Sequence, residues 1–265
     1  MNAQPVGNLL REWRQRRRLT QLDLALEAEI SARHLSFVET GRAQPSREML
    51  LHLSEELDIP LRERNTLLVS AGFAPMFRER RLDDAALAAA RQAIDVVLAA
   101  QKPFPAFALD RHWNIAASNS ALQELYEGVD PELMKPPVNA LRLSLHPRGV
   151  APRIENLPEW RAHLLFRLRK QVELTGDPVL ENLLQEVSGY GETHKALTLE
   201  HSVLVPLKIR CSLGLLSFLS TTTVFGTPVD VTLSELMVEL FFPMDQATAG
   251  AVRRLAQQPA RRAAA

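Results

Sequence analysis

Capping and breaking residues punctuate the first seventy positions at short intervals, and this limits what the chain can fold into. Thr20, Ser31 and Ser46 each precede a helical run, Pro45 and Pro60 mark further starts, and Gly41 and Gly72 lie just past helix ends. A hydroxyl accepts from the free N–H groups of a helix's first turn, while proline and glycine open or close helices through their backbone preferences. The runs between them carry apolar stripes at helical spacing: Val6, Leu9, Leu10 and Trp13; Leu24, Ala25 and Ala28; Leu35 and Val38; Met49, Leu50, Leu53 and Leu57; Leu61, Leu67, Leu68 and Ala71. Five short helices follow, a compact all-α domain over residues 1–75.

The pattern then changes. Phe73–Asp84, with Pro75 and Arg78-Glu79-Arg80-Arg81, reads as a linker, and an Ala-rich helix runs from Asp84 to Gln101, so linker and connecting helix span 76–102. From Pro103 the period shortens. Phe104–Asp110 and Trp113–Ala117 read as strands around an Arg111-His112 corner, and Ser118-Asn119 caps a short helix with Leu122 and Leu125. Asn156 and Glu159 resemble a capping box for a long helix closed by Gly176, and Asp177-Pro178 starts another. Leu197–Ile209 and Leu213–Phe225 are strand candidates, and Thr232 with Glu235 predicts a further amphipathic helix carrying Leu233, Leu236, Met237 and Leu240. The expectation is an α+β domain over 103–256 and a frayed tail over 257–265.

Composition narrows the function classes. The 265 residues are 46% hydrophobic and 23% charged, the balance of a soluble globular protein. With 31 basic and 31 acidic residues, a uniformly basic nucleic-acid binder is excluded, but a local basic surface is not. Residues 1–47 hold eight arginines against five acids, with Arg11, Arg14, Arg16, Arg17 and Arg18 clustered. A lone cysteine, Cys211, leaves no disulfide framework or multi-cysteine zinc site. The uncharged run Cys211–Val229 carries Gly214, Gly226, Pro228 and many Ser/Thr, which argues against a membrane span, and the N-terminus has no signal-peptide pattern. A cytoplasmic protein is expected.

Gln21 through Gly41 has the layout of a helix-turn-helix: helix, three-residue turn, capped helix. Such a third helix lies in the major groove with its first turns on base edges. Residues 6–60 resemble the Cro/repressor-type (XRE family, lambda-repressor-like) helix-turn-helix, through Leu19-Thr20-Gln21, Ile30-Ser31, Glu39-Thr40-Gly41 and Pro45-Ser46. The resemblance implies a phosphate contact at Gln21. It implies groove contacts at Ala32, Arg33, His34 and Phe37 beside the cap Ser31, and backbone contacts around Thr40, Arg42 and Ser46. Two departures stand out. Glu29 occupies the turn position where glycine is usual, and Leu22 with Leu26 puts an apolar pair on the outer face of the second helix, where a protein contact is expected.

The strand, corner, strand, capped-helix order of Phe104–Leu125 resembles the opening of a PAS-type sensor domain. Asp110–Asn114, Asn139–Arg142, Leu145-His146-Pro147, Glu159–His163 and Ser220–Pro228 resemble the ligand-binding domain of MmyB-like (MltR-type) regulators. That resemblance implies a PAS-like pocket for an apolar, fatty-acid-like small molecule. Asn139, Arg142 and His146, at spacings of three and four, converge if the segment is helical; Trp160 and Arg161 start the long helix. For each of these polar residues a structural role (ion pair, cap or corner bond) stands beside the ligand role, and Trp113, Trp160, Phe166 and Phe218 read as core.

No nucleophile elbow, Gly-rich phosphate loop or metal-like histidine pairing is present in the sequence, with His194 and His201 isolated. The reading is a non-enzymatic, ligand-responsive transcription regulator, a homodimer on a palindromic operator of double-stranded DNA, with no cofactor beyond a bound fatty-acid-like ligand. Ligand binding would act through the 84–101 helix. The rival is a helix-turn-helix protein-interaction module, antitoxin-like or scaffold, with no small-molecule ligand.

Overall fold

The computed structural model describes residues 4–191, 204–226 and 228–257, apart from the side chains of 123 and 124. It divides into two compact units: Met1–Arg81 with Glu173–Thr175 and Thr227–Ser234, and the remainder.

The first unit holds five helices: α1 (Val6–Arg16), α2 (Gln21–Glu27), α3 (Ala32–Glu39), α4 (Arg47–Glu56) and α5 (Leu61–Ser70). Their starts are those the caps dictate. Thr20 accepts from the Asp23 N–H while Asp23 reaches back to the Thr20 N–H, a reciprocal capping box. Ser31 accepts from the His34 N–H and Ser46 from the Met49 N–H. The apolar stripes meet in one core of Leu10, Trp13, Leu24, Leu35, Leu53 and Leu67, with their neighbours. Gly7 lets α1 approach α3 closely, since a Cβ there would stand 2.3 Å from the Val38 carbonyl oxygen.

The second unit is α+β. A 3-10 turn (Ala85–Leu87) leads into α6 (Ala88–Ala100), then β1 (Ala106–Leu109), β2 (Ile115–Ser118), 3-10 segments at Ser120–Tyr126 and Pro131–Met134, and α7 (Ala140–Leu145). After a 3-10 turn at Ala151–Arg153 come α8 (Leu157–Thr175), α9 (Pro178–Ser188), β3 (Leu207–Cys211) and β4 (Gly214–Val224). The one-turn α10 (Val231–Ser234) belongs to the first unit; β5 (Met237–Pro243) and α11 (Gln246–Gln257) complete the second. The five strands form an antiparallel sheet in the order β2-β1-β5-β4-β3.

Strand alternation sets the two faces of this sheet. Ala106 and Ala108 on β1 and Val238 on β5 pack with Ile94 and Leu98 of α6. Phe107, Leu109 and Phe241 point to the other face, into a core with Trp160, Leu164 and Leu168 of α8. By the same alternation Glu239 shares the face of Phe241.

Several expectations are corrected. The segment expected to form an amphipathic helix from Thr232 is one helical turn followed by β5, because Val238-Glu239-Leu240-Phe241-Phe242 pairs on both sides, with β1 and β4. Trp113 is not in a strand: with φ at 66° it belongs to the β1–β2 corner, and β2 starts at Ile115. Asn119 and Asn156 cap nothing with their side chains. Asn119 bonds the Leu98 and Phe104 carbonyls and the Ala106 N–H, and Asn156 bonds the Pro206 carbonyl and the Lys208 N–H. Phe166 is half-exposed rather than core. Of the strand candidate Leu197–Ile209, residues 197–203 lie outside the described residues, as do His194, His201 and 258–265 of the expected tail.

Candidate functional site

The helix-turn-helix is built around Glu39, at the end of α3, whose side chain is wholly buried. Arg14 of α1 grips it with two prongs, Nε to Oε1 at 2.7 Å and Nη2 to Oε2 at 2.9 Å. Gln21 Nε2, at the start of α2, donates to Oε2 at 2.8 Å, and Arg11 Nη2 reaches the Glu39 carbonyl at 3.3 Å. Burial works to raise the Glu39 carboxyl, but the hydrogen bonds from Arg14 and Gln21, the Arg14 charge and the Arg11 bond outweigh it, so the group titrates below the ordinary carboxylate range. One carboxylate thus ties α1, α2 and α3 and fixes how α3 is presented.

This bears on two expectations. Gln21, expected to meet a phosphate, has a hydrogen bond of its side-chain amide committed to Glu39, and its backbone N–H remains at the α2 terminus. The arginine cluster in α1 is less a free cationic surface than its sequence suggests. Arg11 and Arg14 serve Glu39, Arg17 donates to the Leu57 and Asp58 carbonyls at the end of α4 (2.7 Å each), and Arg16 lies over Trp13.

The residues that the resemblance assigns to DNA differ in exposure. Arg33 is exposed, its guanidinium carbon 5.4 Å from the centre of the half-buried Phe37 ring. Ala32 and His34 are half-buried, and Ser31, Thr40, Arg42 and Ser46 are exposed. The Thr40 hydroxyl is turned back to the Ser36 carbonyl at 2.7 Å. Glu29 is left-handed in the turn at φ 51° and exposed, and Leu22 and Leu26 are 60% and 70% exposed.

In the second unit a largely apolar cavity of about 70 Å³ lies between the sheet and helices α7 and α8, lined among others by Phe107, Leu141, Trp160, Leu164, Ile209 and Phe241. Its polar wall is an ion pair. Arg167 of α8 donates to both Glu239 oxygens of β5, at 2.9 and 3.0 Å, and Thr222 bridges the two. The guanidinium lies 5.0 Å over Trp113, whose indole N–H donates to Gln171 at 2.7 Å. Ser144 and Tyr126 add hydroxyls; Ser144 accepts the Trp160 indole N–H at 2.9 Å, and burial pushes the Tyr126 phenol well above its usual value. Burial, then the Arg167 charge, hold the His163 imidazole below its ordinary value.

Of the five residues expected at the ligand, only Trp160 lines this cavity. Asn139 is a buried cap and corner brace, accepting from the Leu141 and Arg142 N–H groups and donating to the His112 carbonyl. Arg142 is paired two-pronged with Glu186 of α9, at 2.8 and 2.6 Å. His146 accepts from the Arg148 N–H and meets the Tyr190 ring edge-on, and Arg161 donates to the Ser188 carbonyl. Arg142 and His146 do converge, but on α9 and Tyr190. The sequence reading missed Arg167 and Glu239; its one usable signal was a lone carboxylate in the apolar run Val238–Phe242. No group of three or more His, Cys, Asp or Glu able to hold a metal occurs among the described residues.

A helix-turn-helix head and an α+β unit enclosing an apolar cavity define a DNA-binding protein with a separate binding domain. The family model described as MmyB-like transcription regulator ligand binding domain matches residues 90–255, so the chain belongs to that family, and a helix-turn-helix model matches residues 10–64. It is a DNA-binding transcription regulator with a ligand-binding domain. No curated protein matches the chain.

Proposed function

We propose that the protein reads a specific operator through α3 and regulates transcription from it in response to an apolar, fatty-acid-like molecule held in the cavity of the second unit. It acts as a homodimer on a palindromic site, in the cytoplasm, and without catalysis; among the described residues no helix is long and apolar enough to cross a membrane. The observation that carries the reading is the outward face of α3. Arg33 is exposed and stacked on Phe37, on a helix held from beneath by the Arg14–Glu39 grip. A guanidinium so placed suits the O6/N7 edge of guanine, and an aromatic beside it suits a thymine methyl. Gln21, Thr40, Arg42 and Ser46 flank it as phosphate contacts, Gln21 through its backbone N–H as well as its amide. The PAS-like reading of the second unit draws support from its strand–corner–strand opening and antiparallel sheet. At about 70 Å³ the cavity is smaller than an ordinary ligand site, so an occupant widens it.

The test is fluorescence anisotropy with DNA from upstream of the protein's own gene, across a salt series. Arg33→Ala should weaken the preferred sequence by about 1–3 kcal/mol while leaving non-specific binding unchanged. Unchanged sequence preference would sink the role given to Arg33. The rival interaction-module reading has its own observation, the exposed Leu22 and Leu26 pair; it expects no salt-sensitive DNA binding.

A further inference from the structure

Resting on the reading of α3 as the operator-reading helix, we propose that His52 of α4 is a positioning residue for DNA recognition. It fixes the turn between α2 and α3 by holding the Ala28 carbonyl. The Glu29 N–H bonds the Leu26 carbonyl at 3.3 Å and the Ile30 N–H bonds the Ala25 carbonyl at 2.9 Å, so α2 closes in a Schellman motif. The left-handed residue of that motif is usually glycine, and here Glu29 stands there at φ 51°. Any other residue stays in that region only where its surroundings enforce it. The carbonyl of Ala28, the cap of α2, takes no part in the motif's two bonds, and His52 Nε2 meets it at 2.9 Å. A carbonyl oxygen only accepts, so the ring donates from Nε2.

The first unit repeats this arrangement. α1 and α4 also end on left-handed residues that are not glycine, Arg18 at φ 58° and Asp58 at φ 46°. At each of these ends a side chain takes a carbonyl: Arg14 donates to that of Leu19 at 2.8 Å, and Arg17 to those of Leu57 and Asp58 at 2.7 Å each. Arg17 is the cap of α1, so the helix that carries His52 is itself gripped from α1. α2 is thereby held at both ends, by Gln21 on Glu39 at its start and by His52 on Ala28 at its close. Two residues, Glu29 and Ile30, separate Ala28 from Ser31, the cap of α3. The Ala28 carbonyl therefore governs the direction in which α3 sets out, and with it the placing of Arg33 in the first turn. His52 is exposed, so its bond counts as one ordinary hydrogen bond and the expected effect is of that size.

The test needs a preferred duplex, selected by the full-length protein from a random-sequence library, and a scrambled duplex of the same composition. Affinities are read by fluorescence anisotropy well below each variant's melting temperature, so that a loss of stability alone does not register. His52→Ala should weaken the preferred duplex by about threefold to tenfold and the scrambled one by less. His52→Gln keeps an N–H donor on a side chain of similar reach and should restore most of the loss. Glu29→Gly added to His52→Ala should do the same, because glycine holds the left-handed turn without the brace. Wild-type affinity in His52→Ala, or an equal loss on both duplexes, overturns the positioning role and leaves the operator reading standing. So does a failure of either rescue. If the wild type selects no sequence, the operator reading falls and the proposal with it. Should His52→Ala not fold, the double variant is compared with Glu29→Gly alone. The two should bind the preferred duplex alike, and a gap of about threefold or more counts against the proposal.

Discussion

Glu39 shows how one side chain can carry an element's position. Removing it leaves the Arg14 guanidinium buried without its counter-charge, so Glu39→Ala should cost about 3–5 kcal/mol in urea unfolding followed by circular dichroism. The pH dependence has a definite sign. The folded carboxyl titrates below its ordinary 4.5, so its stabilisation is full above that value and is lost as pH falls through the folded pKa. Acid titration of the wild type should therefore show a loss of stability that the Glu39→Gln variant, already lacking the charge, does not share. Glu29 is the opposite case, a residue whose conformation opposes it. Held at φ 51°, it adopts a backbone shape that glycine takes freely, and Glu29→Gly should stabilise the protein by about 0.5–1 kcal/mol. A melting temperature that falls instead would mean that the carboxylate makes a compensating interaction.

The α1–α3 contact is a close fit between elements. A methyl at Gly7 would stand 2.3 Å from the Val38 oxygen and 2.8 Å from that of Glu39, and both are backbone atoms that cannot rotate away. Gly7→Ala should cost about 1–3 kcal/mol and weaken DNA binding as α3 is displaced; full DNA affinity in the variant would show that α1 can shift without moving α3. Elements of this head were legible in the sequence because their signals are local: Thr20, Ser31 and Ser46 cap the helices they precede. The second unit was less legible because long-range pairing decides it. Nothing between Thr232 and Leu240 announces a strand; its neighbours β1 and β4 make it one. The cavity suffered likewise. Asn139, Arg142 and His146 have the spacing of a binding helix, yet their partners lie on α9 and in the β1–β2 corner, while Arg167 and Glu239 meet across 72 residues.

Across the whole molecule the charges sum to zero, and much of the arginine cluster in α1 is bonded internally, so that cluster offers the phosphates fewer cations than its sequence suggests. Two heads on one operator would compensate, and salt can count them. Each phosphate contact contributes roughly −0.9 to the slope of log K against log salt. Arg42→Ala should therefore make the slope shallower by about 2 if both heads of a dimer engage and by about 1 if a single head does. An unchanged slope removes Arg42 from the phosphate contacts, and native mass spectrometry at the same concentrations should show twice the chain mass. The Glu39 tie also bears on how such a molecule can diverge. Because Arg14 lies in α1 and Glu39 in α3, neither can drift alone without stranding a buried charge, whereas among the described residues Arg33 and Phe37 on the outer side are tied to no such buried counter-charge. If α3 reads the operator as proposed, new preferences can accumulate on its outward face while its inner end stays fixed, and a third helix exchanged between relatives must travel with a matching first helix.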